Sequence, residues 1–271
     1  MRRLTNAAGA ARTLRTAVGF ALAPLLVTGC GLVFGISSGE YDPDPFGRDG
    51  GARADGRPPG NDPDGKPPGN DPDGAPGCKR ELLDDLEDGN GEILPCDGRR
   101  GGWYAYNDGS AGGTQTPAPG GPFLPLNPGY NGSQYAAHGK VNGFTAKGAG
   151  LGFDLNKAGG TRGTYNASGY GGIRFWVRGN VPGTIYLNIR DKNRDPEGGV
   201  CQAPGTCNDL FGSNVDVKTD WTRVDKAFSD MTPDKPHGAE RVDQGNIYAV
   251  EFHTAANTKD FEFWVDDISF F

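Results

Sequence analysis

The chain has 271 residues, of which 46 are Gly and 21 are Pro, so about a quarter of it is the two residues that interrupt regular structure. That excludes a mostly helical protein. Lys and Arg number 27 against 34 Asp and Glu, and without the first 29 residues, which hold four Arg and no acid, the net charge goes from −7 to −11. A chain this acidic has no nucleic-acid partner. Only 35% of residues are hydrophobic, yet 14 Phe, 9 Tyr and 4 Trp fall mostly in the second half, which points to an aromatic-rich β core.

The N-terminus reads as an export signal: Arg2, Arg3, Arg12 and Arg15 precede an apolar run from Ala17 to Val27 that ends in Val27-Thr28-Gly29-Cys30. That tetrapeptide resembles the bacterial lipobox. The resemblance implies a signal peptide over 1–29, cleavage before Cys30, and lipidation of its thiol as a membrane anchor. Gly31, standing where Asp would retain a lipoprotein at the inner membrane, implies the outer membrane or surface of a bacterial cell envelope. An uncleaved signal anchor competes, because apolar character continues to Ile36, but Pro24 and the glycines of the stretch oppose a spanning helix.

Residues 30–77 read as a disordered Gly/Pro/Asp-rich tether, carrying the repeat Arg57 to Gly65 (RPPGNDPDG) and Lys66 to Gly74 (KPPGNDPDG). Such a segment has almost nothing apolar to bury. With Cys30 assigned to lipid, four of the five cysteines remain, Cys78, Cys96, Cys201 and Cys207, and in an exported domain they read as two disulfides. Of three connectivities, the sequence-local one, Cys78 with Cys96 and Cys201 with Cys207, is preferred. Neither pair has zinc-knuckle spacing.

Residues 78–271 are enough for one domain with a substantial core. Short alternating runs recur between Gly, Asn and Asp turns, at Gly172 to Gly179, Gly183 to Asp191, Val215 to Val217, Thr222 to Phe228, Ile247 to Thr254 and Phe261 to Phe271, with turns at Thr219-Asp220 and Pro233-Asp234. They predict two antiparallel sheets packed face to face, with Ile173, Phe175 and Val177 on one side of their strand and Ile185, Leu187 and Ile189 on one side of the next. The opposite sides, carrying Arg174, Trp176, Tyr186, Asn188 and Arg190 on strands expected to be neighbours, form a polar aromatic surface suited to ligands.

Leu82-Leu83-Asp84-Asp85-Leu86-Glu87-Asp88-Gly89, then Gly102-Trp103-Tyr104, and the closing Phe263-Trp264-Val265-Asp266-Asp267-Ile268-Ser269-Phe270 resemble the two ends of jelly-roll carbohydrate-binding modules of the galactose-binding-like superfamily. The resemblance spans Leu82 to Phe271 and implies an all-β jelly-roll sandwich that binds polysaccharide without chemistry. It also implies a structural calcium held by Glu87 and Asp267, with Asp266 as the alternative ligand, because first and last strands lie close and calcium takes six to eight oxygens.

Sugar recognition needs flat apolar surface for pyranose C–H faces and forked polar groups for vicinal hydroxyls. Trp176, Tyr186, Asn188, Arg190 and Asp191 meet that need. Tyr104 and Tyr106, expected in an early loop, and His253 are secondary candidates, while Trp103 and Trp264 are assigned to the scaffold. The loop from Asp191 through Asn193 and Asp195 is expected to rim the ligand face. It is not an EF-hand, since Pro196 stands where that loop requires Gly.

Catalytic patterns fail. Gly35-Ile36-Ser37-Ser38-Gly39 has no strand before it or helix after it, and His138, His237 and His253 are scattered. Gly148-Ala149-Gly150-Leu151-Gly152 is followed by Phe153 without the Lys-Ser or Lys-Thr of a phosphate loop. The expectation is a monomeric, lipid-anchored, non-enzymatic glycan binder. A structural or protein-docking lipoprotein is the alternative, and a glycoside hydrolase ranks below both.

Overall fold

The computed structural model describes residues 78–201, 207–233 and 241–271. The expected signal peptide over 1–29, Cys30 and the expected tether to residue 77 lie outside the described residues, as does Asp234 of the expected Pro233-Asp234 turn. Thirteen strands run through the described chain. The first seven are β1 (Leu82–Asp84), β2 (Trp103–Asn107), β3 (Thr114–Thr116), β4 (Ala137–Asn142), β5 (Ala149–Asp154), β6 (Asn156–Ala158) and β7 (Thr161–Gly163). They are followed by β8 (Gly172–Gly179), β9 (Gly183–Asp191), β10 (Phe211–Val217), β11 (Thr222–Ala227), β12 (Ile247–Thr254) and β13 (Phe261–Phe270).

One sheet has the order β11-β8-β13-β4-β3, with β1 pairing the far end of β13; the other has the order β10-β9-β12-β5-β2, and β6-β7 form a small ribbon. Strand pairing is antiparallel throughout. The fold is the all-β sandwich that the alternating runs predict, with the jelly-roll arrangement that the resemblance implies.

The core lies where the apolar side of each sheet meets the other. Phe175 and Val177 of β8 with Phe263 and Val265 of β13 face Leu187 and Ile189 of β9, Val250 and Phe252 of β12, and Leu151 and Phe153 of β5, all fully buried. Each such side chain contributes about 1.5–3 kcal/mol when it leaves water. Trp103 stacks on Phe123 at 5.0 Å and lies in the same cluster, so its scaffold role holds. Its indole N–H donates to buried Asp84 at 2.6 Å, which ties the first strand to the core.

Two expectations are corrected by this topology. Strands β8 and β9 are not neighbours: they lie in different sheets. The amides of Gly179 and Asn180 between them donate to Lys218 and Glu262, which carries the chain across the sandwich instead of into a hairpin. The arrangement lets both apolar faces bury against each other. Tyr104 and Tyr106, expected in a loop, belong to β2.

Disulfides join Cys78 to Cys96 and Cys201 to Cys207, the sequence-local connectivity.

Candidate ligand-binding cleft

The second sheet turns its polar side outward, and register places those side chains in rows that cross five strands. One row runs from Tyr106 through Gly150, His253 and Tyr186 to Asn214. The next runs from Tyr104 through Gly152, Glu251 and Asn188 to Gly212. A third holds Asp154, Ala249 and Arg190. The rows form the floor of a cleft of about 1170 Å³, rimmed by Asp108, Lys147, Asn208 and Asp209 from the surrounding loops. A hollow of about 420 Å³ continues it past Arg190 to Arg162 and Asp195.

The glycines of β5 make this floor. A Cβ on Gly152 would stand 2.8 Å from the Glu251 side chain and 3.1 Å from the Tyr104 ring, and one on Gly150 would stand 2.7 Å from the Tyr106 hydroxyl. Without Cβ atoms there, both rings of β2 lie across β5. The Tyr104 hydroxyl then donates to Glu251 of β12 at 2.8 Å, and Tyr106 comes parallel to His253, with ring centroids 5.7 Å apart.

Charges on the floor are matched within it. Arg190 donates through Nε to the Glu251 carboxylate and through Nη1 to Asn208 at 2.9 Å and Asp195 at 3.3 Å. Arg162 donates to Asp154 at 2.7 Å and to Asp195 at 3.2 Å, and Lys157 lies 3.3 Å from Asp154. The three carboxylates are almost fully buried, which is tolerable only with such partners. Burial works against the Arg190 charge, but the Glu251 carboxylate outweighs it and raises the guanidinium's pKa.

Burial also pushes the His253 imidazole below its ordinary value, which favours the neutral ring. In that state Nε2–H donates to the Lys147 carbonyl at 2.9 Å, leaving Nδ1 an acceptor. That nitrogen, the Tyr106 hydroxyl and Arg162 Nη2 are buried with no hydrogen-bond partner among the described residues.

The sequence-predicted residues divide. Tyr104, Tyr186, Asn188, Arg190, Asp195 and His253 line the cleft or its continuation. Trp176 does not: it lies on the outer side of the first sheet, stacked on Tyr130 with centroids 3.8 Å apart. Asp191 is fully buried and accepts from the amides of Asn193, Arg194 and Asp243, so it builds the loop and does not reach the cleft. Asn193 sits in that loop and lines neither hollow. Glu251, Asp154 and Arg162 escaped sequence reasoning, although a carboxylate between Val250 and Phe252 in the strand Ile247–Thr254 is a visible signal.

At the meeting of first and last strands, Glu87 Oε1 accepts from the Ser133 hydroxyl and the amides of Gln134 and Tyr135. Asp266 is buried and accepts from the amides of Tyr130 and Asp267. Burial, then the nearby charges of Asp85 and Glu87, push the Asp267 carboxyl up. Among the described residues no three His, Cys, Asp or Glu side chains gather as a metal-binding cluster.

No protein-family model and no curated protein matches the chain. Among solved structures, the chain is similar to the family 11 carbohydrate-binding module of the cellulosomal cellulase Lic26A-Cel5E of Clostridium thermocellum, at 18% identity over 71% of this chain and 94% of that one, with a TM-score of 0.49. The family 11 module of that organism in complex with a β-1,3-1,4-mixed-linked tetrasaccharide gives 17% identity over 70% and 94%, with a TM-score of 0.48. The family 30 module of the cellulosomal cellulase Cel9D-Cel44B of the same organism gives 16% identity over 71% and 96%, with a TM-score of 0.46.

Proposed function

We propose that the cleft of the second sheet binds a neutral polysaccharide chain and performs no chemistry on it. The observation that carries the proposal is the floor itself: tyrosines and amides in continuous rows, with every arginine already matched to a buried carboxylate. A matched floor gains little from an ionic ligand, whereas its amides and guanidinium edges suit hydroxyls. Tyr186 supplies the flat surface for a pyranose ring. Glu251 and Asp195 are engaged by arginines, which fits them for positioning, not for proton transfer. The test is a glycan array with the full chain. Retention on one class of neutral polysaccharide is expected, and silence across the array from folded protein overturns the proposal.

Anchoring belongs to the same proposal. The lipobox-like Val27 to Cys30 would hold the domain at a bacterial cell envelope by a lipid on Cys30, as a monomer on a tether. Cys30→Ser is expected to move the protein from the membrane to the soluble fraction, and unchanged fractionation contradicts the anchor.

Structural calcium at Glu87 and Asp267, with Asp266 beside them, is also proposed. Its ground is the resemblance of the two chain ends to carbohydrate-binding modules, together with the charges of Asp85 and Glu87 that act on the Asp267 carboxyl and that a cation would relieve.

A further inference from the structure

The outer side of the first sheet carries a second concentration of aromatic and cationic groups, away from the cleft. Arg178 of β8, Trp264 of β13 and His138 of β4 stand directly opposite one another in register. The Arg178 guanidinium lies 4.0 Å from the Trp264 ring and 5.4 Å from that of Trp221, which precedes β11. Beside it, Tyr130 stacks on Trp176 and meets Trp221 edge to face at 5.9 Å, so two partly exposed rings form a corner next to the arginine. Asp266 fixes this corner by accepting the Tyr130 amide at 2.7 Å.

Two neighbouring carboxylates are already matched. Asp225 takes Arg174 at 2.7 Å and Arg223 at 3.0 Å, and Glu262 takes Lys140 at 2.9 Å and His138 at 3.2 Å. Arg178 has no carboxylate partner and no hydrogen bond among the described residues, and its Nε is buried without an acceptor. In a chain with 34 acids, an arginine held between two indoles and left unmatched is a site for an anion that comes from outside. The cleft offers the contrast, because its arginines are neutralised from within.

We infer that this corner is a second saccharide site, specific for a carboxylate-bearing sugar, with the sugar's carboxylate on Arg178 and its ring against Trp221 and Tyr130. A uronate suits both halves of the corner: its C–H face packs on a ring while the carboxylate takes the guanidinium fork.

Three of the chain's four tryptophans, Trp176, Trp221 and Trp264, belong to this site, and the fourth, Trp103, is in the core, so indole fluorescence reports on it and not on the cleft. The experiment titrates the full chain with α-1,4-linked trigalacturonate and with its methyl ester. A saturable fluorescence change with the acid is expected, at least tenfold weaker for the ester, at least tenfold weaker in Arg178→Gln, and retained in the cleft variant Tyr186→Ala. No change with trigalacturonate, an equal response to the ester, or an unaltered Arg178→Gln response overturns the site. If Arg178→Gln fails to fold, Trp221→Ala at the partly exposed rim answers the same question, with lost binding expected and retained binding contradicting it. Array binding that survives while this response is absent sinks the second site alone. The reverse result sinks the cleft reading alone.

Discussion

The Tyr104 hydroxyl reaches Glu251 across a whole strand, passing over Gly152, with which both residues are paired in register. Space vacated by one missing side chain thus lets β2 and β12 share a hydrogen bond above β5. Gly152→Val is expected to force Tyr104 and Glu251 apart, cost about 1–3 kcal/mol of stability by overpacking, and abolish retention on polysaccharide. Urea unfolding and affinity electrophoresis measure the two effects, and a variant that keeps both would contradict the role of the glycine.

Removing the hub of the floor gives a second expectation. Glu251→Ala leaves Arg190 with Asp195 and Asn208 only and deprives the Tyr104 hydroxyl of its acceptor. Breaking a buried pair from one side costs about 3–5 kcal/mol. Equilibrium unfolding of the variant should show a loss of that size, and a loss under about 1 kcal/mol would mean that the network is not coupled as described.

Stability should also depend on pH in a defined direction. Burial pushes Asp84 up to about 7 and Asp266 up to about 6, from an ordinary value of 3.8. The folded state therefore holds protons that the unfolded chain has already lost, and stability from these groups falls as pH rises from about 4 to about 7 and then levels off. One such proton corresponds to a slope of about 1.4 kcal/mol per pH unit. Asp84→Asn should flatten the urea-derived stability profile across that window, and an identical slope in variant and wild type would contradict the assignment.

Calcium makes a separate prediction about the same end of the sandwich. Adding it to chelator-treated full chain should raise the melting temperature, and Glu87→Ala should lose the rise. A wild-type melting temperature indifferent to calcium removes that site.

Much of this architecture is legible in residue order because period-two alternation is a local signal: β8, β9 and β12 have the bounds that Gly172 to Gly179, Gly183 to Asp191 and Ile247 to Thr254 predict. Which strands become neighbours is not local. Trp176 and Tyr186 read as one surface until the Gly179 and Asn180 amides are seen bonding to Lys218 and Glu262. The cleft floor was half legible for a similar reason. Tyr186, Asn188 and Arg190 announce themselves on one strand, but Gly150 and Gly152 take their meaning from what lies over them, and Glu251 from the arginine that reaches it. Asp191 misleads in the opposite sense, since a buried carboxylate that caps three amides has the same residue type as one that meets a ligand.

The central claim is that the tyrosine-lined floor of the second sheet holds a neutral polysaccharide. Affinity electrophoresis of the full chain and of Tyr186→Ala, through gels containing mixed-linkage β-1,3-1,4-glucan, xylan or β-1,4-galactan, tests it most directly. Retardation of the wild type by at least one of these, reduced about tenfold in apparent affinity for Tyr186→Ala with an unchanged circular dichroism spectrum, is the predicted result. Equal retardation of both proteins, or none of the wild type, would contradict it.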